Sequence, residues 1–178
     1  MTQAQDVVSF WRDAGYKRWF VRDDAFDAAF RTKFLDAHFA AARRELEHWL
    51  DGAQGALALL ILIDQLPRNA FRNSAHAFAT DSLARHYAET AIAKGFDAAI
   101  DPMLRVFFYM PFEHSEDAAD QARSVELVAA LDETYMKYAI AHRDVIARFG
   151  RFPHRNRALG RANTPEEQAW LDAGGGFG

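Results

Sequence analysis

Cysteine is absent from all 178 residues. That excludes disulfide frameworks, thiolate metal ligands and thiol nucleophiles, and fits a reducing compartment. The first residues, MTQAQDVVSFWRD, lack the basic segment, apolar run and small-residue cleavage site of a signal peptide. The longest apolar run, Ala56 to Ile63, is far short of the roughly 20 residues needed to span a bilayer. The five prolines and ten glycines are scattered, apart from a glycine cluster starting at Gly174, so no linker is visible. Net positive charge is lacking too: the formal charge is -4, which speaks against broad nucleic-acid binding. No stretch shows the alternation and β-branched enrichment of a strand. These absences predict a soluble, cytoplasmic, all-α protein without membrane or nucleic-acid partners. They predict one domain over residues 1–178, a multi-helix bundle with a loosely ordered Gly-rich tail from about residue 174.

What is present is apolar and aromatic. Half the residues are hydrophobic, and fifteen phenylalanines and four tryptophans give enough ring surface for an aromatic-rich core. Thr2 and Gln5 have capping-box spacing ahead of Val7, Val8, Phe10 and Trp11, and Gly15 is expected to end that helix. An aromatic loop with Tyr16, Trp19 and Phe20 follows. Asp23 then caps a helix on which Phe26, Phe30 and Phe34 recur every four residues. Residues 53–66, AQGALALLILIDQL, are apolar almost all round, the pattern of a central helix, which Pro67 should stop or kink. Asn73 or Ser74 can start the next helix. Asp101-Pro102 opens a short segment that Pro111 ends, and Ser115 can cap the following helix. From there the pattern runs to Gly150 with a break expected near Thr134. Thr164-Pro165-Glu166-Glu167 carries a cap, a proline at the first helical position and an acid at the third.

Four blocks stand out: DQLPRNAFR (Asp64 to Arg72), AFATD (Ala77 to Asp81), PFEHSE (Pro111 to Glu116) and HRDVIARFGRFPHRNRALGR (His142 to Arg161). In this order they resemble the bacterial domain-of-unknown-function family DUF924, over nearly the whole chain. The resemblance implies a fold similar to tetratricopeptide repeats, with irregular helix pairs. It implies no activity.

Read as chemistry, each block puts charged or amide groups beside a proline or at a helix end, where they project into clefts. The last holds five arginines between Arg148 and Arg161 and no acid. Guanidinium offers paired donors and keeps its charge, which suits a carboxylate or phosphate. The candidate ligand contacts are Arg68, Asn69, Arg72, Glu116, His142, Arg151, His154, Arg155 and Asn156, with Asp64, Gln65 and Asp144 as structural or site residues. Glu113 or His114 is the candidate general base of a cofactor-independent enzyme. The competing expectation is that Glu113, Glu116, Asp64 and Asp144 neutralise the arginines and the motif residues lock helices together. Three readings therefore stand: a protein binding a small anionic ligand or acidic peptide, an enzyme acting on an anion, and a structural or interaction module. Oligomeric state has no signal.

Metal and cofactor signals are missing. Glu45 and His48 have Glu-x-x-His spacing, but a carboxylate-bridged bundle needs the motif twice, and a solvated helix face accounts for them. His142-Arg143-Asp144 occurs without a glycine-rich loop or a β-sheet lobe, and the serines lack a nucleophile elbow.

Overall fold

The computed structural model describes residues 2–177, and every regular element among them is helical. Contacts group the chain into two compact units. One runs to Arg72 and resumes over His76–Pro111; the other comprises Asn73–Ala75 and the residues from Phe112 onward.

The first unit opens with α1 (Ala4–Phe20), in which Gly15, at non-helical φ +76° and ψ 167°, ends one helical segment as expected and a second follows across the kink. The expected aromatic loop is therefore the last helical turn. The cap also lies one residue later than expected, since the Gln3 N–H donates to the Asp6 carboxylate. Helix α2 (Asp24–Ala42) starts as predicted at Asp23, whose carboxylate accepts from the Ala25 and Phe26 N–H groups. Its phenylalanines meet α1: Phe10 stacks on Phe26 and Phe30, and buried Trp11 packs against Phe30 and Phe107. The segment of Glu45 and His48 is a turn and a 3-10 helix (Glu47–Asp51), with Glu45 and Glu47 paired to Arg43 and Arg44, so the expected helix face is not formed.

Helix α3 (Ala53–Leu60) is the central element, with Ala56 through Leu66 almost completely sealed from solvent. Gly55 lets it press against the Trp49 carbonyl, where any Cβ would collide. The chain then widens into a π turn (Ile61–Gln65) and continues as α4 (Leu66–Ala70), so of the expected stop or kink at Pro67 the stop does not occur. The wide turn explains why. The Leu66 N–H reaches back to the Ile61 carbonyl, leaving the Leu62 carbonyl to accept from His38 Nδ1 at 2.9 Å. In an α-helix the Ile63 carbonyl would need the N–H that Pro67 lacks; here the Thr80 hydroxyl donates to it. After a 3-10 turn (Ala75–Phe78), α5 (Asp81–Ala93) begins at Thr80, several residues beyond the expected start. Pro102–Phe108 is a 3-10 helix capped by Asp101. Pro111 lies inside the short α6 (Met110–Glu113) and does not end the segment.

In the second unit α7 (Ala118–Val128) and α8 (Glu133–Phe149) pack together. Asp117, not Ser115, caps α7, accepting from the Ala119 and Asp120 N–H groups. The break before α8 falls ahead of Asp132, its cap, just short of Thr134. Gly150 ends α8 in the left-handed conformation, φ +70°. A 3-10 turn (Pro153–Arg155) leads to α9 (Pro165–Asp172), whose Thr164/Glu167 capping box forms as predicted. No helix among the described residues is long and apolar enough to cross a membrane.

Candidate functional site

The first unit gathers DQLPRNAFR around the π turn. Asp64, 1% exposed, accepts from Gln65 Nε2 at 2.7 Å and from Arg68 Nη1 at 3.2 Å. Arg68 then grips Asp81 with both terminal nitrogens, at 2.9 and 3.0 Å. Burial opposes the Arg68 charge, but Asp64 and Asp81 outweigh it and raise its pKa. Asn69 and Arg72 both donate to Asp27 of α2, at 2.6 and 2.8 Å. Three of the candidate ligand contacts, Arg68, Asn69 and Arg72, thus bind internal carboxylates. Their partners Asp27 and Asp81 were missed as acids in the sequence, although Asp81 sits in one of the four blocks.

Beside this network His38 is sealed from solvent and its Nε2 lies 3.0 Å from His76 Nε2. Because Nδ1 of His38 donates to the Leu62 carbonyl, Nε2 is the acceptor and His76 supplies the proton. Burial holds the His38 pKa below its ordinary value. Neither histidine had a signal in the sequence.

The second unit contains the arginine loop. Arg151 holds Glu167 through Nε at 2.6 Å and Nη2 at 2.8 Å, Arg161 holds Glu116 through two nitrogens at 2.7 and 2.8 Å, and Arg148 pairs with Glu166 at 2.9 Å. Glu116 also accepts from the Phe152 N–H. Its burial opposes ionisation, yet the Arg161 and Phe152 hydrogen bonds bring its pKa below the usual carboxylate range. The hydrogen bond from Arg151 is the main reason Glu167 is held down at about 2. Asn156, fully buried, donates to Asn163 and Glu167. Arg157 is exposed, with no ion pair among the described residues. Asp144 pairs with its exposed neighbour Arg143, and not with the loop as expected.

The remaining candidates meet around His142 on α8. Its Nδ1 lies 2.9 Å from the Tyr138 carbonyl and 3.2 Å from the buried Glu113 carboxylate. Burial, aided by His114, His154 and Arg155, pushes its pKa down to about 3, leaving a neutral ring at ordinary pH. That makes His142 a weak proton acceptor. The Arg155 guanidinium lies 4.5 Å over the Phe152 ring, and the residue is 6% exposed. Phe177 lies flat on the His142 imidazole, centroids 3.6 Å apart and planes 15° apart, with Phe152 and His154 edge-on at 6.0 and 5.7 Å. A ring is thus boxed by three others. The glycine-rich stretch before Phe177 carries no sequence signal for this contact. Among the described residues no group of three or more His, Cys, Asp or Glu stands where it could hold a metal ion.

Comparison with known proteins adds the family. A solved structure of a protein of unknown function from Agrobacterium tumefaciens is similar to this chain at 54% identity and a TM-score of 0.93. The match covers 96% of this chain and 97% of the other. No curated protein matches. The family described as bacterial protein of unknown function, DUF924, matches residues 7–175, and the chain belongs to that family.

Proposed function

We propose that this chain is a binding protein for a small anionic ligand, held at the corner formed by His142, His154 and Arg155. The supporting observation is the ring box over His142, bordered by the buried guanidinium of Arg155. Such a seat combines a flat apolar floor with cationic character, the pairing of shape and a few polar groups that small-ligand sites use. In this reading Arg148, Arg151 and Arg161, each engaged with a carboxylate, form its frame. Glu113 stands at the Nδ1 edge of His142, so the anion is received on the side of His154 and Arg155.

A thermal-shift panel of phosphate, acetate and benzoate tests this, since a compound selective for the native state raises apparent stability. A dose-dependent rise with at least one anion, lost in His154→Gln, is expected. No rise with any of the three would overturn the proposal.

A further inference from the structure

Residues 173–177 contact this corner in a particular way. The Gly174 and Gly175 N–H groups bond to the Leu171 and Trp170 carbonyls, closing the end of α9. Gly175 lies so close to the Trp170 indole that a Cβ would overlap it, and the ring of Trp170 packs on Phe149. Beyond that point the attachment changes. Among the described residues no hydrogen bond involves Gly176 or Phe177, and Gly176 adopts φ +145°, open chiefly to glycine. Phe177 is held by its ring alone, on His142, Phe152 and His154.

We infer that Phe177 is an internal occupant of the binding seat, and that the ligand is an aromatic carboxylate whose ring takes the place of the Phe177 ring while its anionic group faces His154 and Arg155. This rests on the proposed anion-binding function and adds to it the ligand's chemical class and a competing segment. The box selects a flat ring because one face of the occupant lies on an imidazole 3.6 Å away, a distance that a puckered aliphatic ring cannot match across its whole face. The anion preference follows from the Arg155 guanidinium, 4.5 Å over the Phe152 ring at the edge of the seat, with the His154 ring beside both Phe152 and Phe177. The release of Phe177 breaks ring contacts only, so a competitor need replace only those contacts. The apparent affinity of the native chain is reduced by the fraction of time that Phe177 fills the seat.

Calorimetric titration of benzoate, cyclohexanecarboxylate and phosphate into the wild-type chain, Phe177→Ala and Phe177→Leu tests the inference. Losing the competing ring contacts should tighten benzoate binding to Phe177→Ala by about tenfold over wild type. Phe177→Leu should lie between the two, and cyclohexanecarboxylate should bind every form more weakly than benzoate. Titrating benzoate should also change Trp170 emission in the wild type, as Gly175 and Phe177 shift, but much less in Phe177→Ala. If Phe177→Ala is too unstable to titrate, the Phe177→Leu comparison decides alone. Equal benzoate affinity in wild type and variants, with anions still bound, overturns the internal-occupant inference and leaves anion binding standing. No binding of any of the three compounds by any form overturns both.

Discussion

Arg151 holds Glu167 by a bidentate pair of hydrogen bonds, at 2.6 and 2.8 Å, while Glu167 also accepts from the Thr164 N–H in the capping box of α9. One carboxylate therefore starts a helix and anchors the arginine loop to it. Arg161 does the equivalent on Glu116, which also fixes the Phe152 backbone. The charge concentration between residues 148 and 161 is thus largely a set of pairings within its own unit. Two further arginines of the loop differ in kind: Arg155 is buried over Phe152, and Arg157 faces solvent.

Thr80→Val removes the hydroxyl that donates to the Ile63 carbonyl while keeping the side chain's shape. A buried acceptor left short of its donor costs about 1–3 kcal/mol. Urea unfolding should show a loss of that order, with Thr80→Ser retaining most of the stability. A Thr80→Val midpoint equal to wild type would show that Pro67 is accommodated without Thr80.

Stability should fall on mild acidification. His142 has a native pKa near 3 against 6.5 in the unfolded chain, chiefly through burial, and burial lowers that of His38 as well. Below about pH 6.5 the unfolded chain takes up protons that these buried rings refuse. The His142 contribution is therefore complete above pH 6.5 and declines as the pH drops toward 3, by up to about 1.4 kcal/mol per pH unit, and His38 adds a loss of the same sign. Glu167, held at about 2 by Arg151, adds a second loss below its ordinary value of 4.5. Denaturant midpoints measured from pH 8 to pH 4 should decline steadily from about 6.5 downward; a flat profile to pH 4.5 would contradict the buried, neutral state of His142.

Much of the fold was legible because its signals are local. Asp23, Thr164 and Gly150 act through their nearest neighbours, and the four-residue phenylalanine spacing of α2 marks the face that packs on α1. The errors occurred where tertiary partners override a local rule. Pro67 normally breaks a helix, but a π turn and a hydroxyl from Thr80 accommodate it. Gly15 does break the helix, but the aromatic residues after it, expected as a loop, form a second helical segment that buries Trp19. The site was partly visible: the block residues were found, and the pairings of Asp64 and Glu116 were among the acids expected to pair. Asp27 could not be anticipated as the partner of Asn69 and Arg72 because it lies beside Phe26 on a helix whose pattern reads as apolar packing. Phe177 follows a glycine run, where sequence carries no periodicity to indicate what a ring would touch.

In the proposed function the arginine loop is a frame and the seat over His142 receives the anion. Arg151→Lys, with Arg157→Ala as a control, tests it most directly, with melting temperature and benzoate affinity measured on the same samples. Lysine keeps the charge but cannot reproduce the two-pronged hold on Glu167. A reproducible fall in melting temperature is expected for Arg151→Lys with benzoate affinity within about twofold of wild type, and no change in either quantity for Arg157→Ala. An unchanged melting temperature with benzoate binding lost in Arg151→Lys would contradict it.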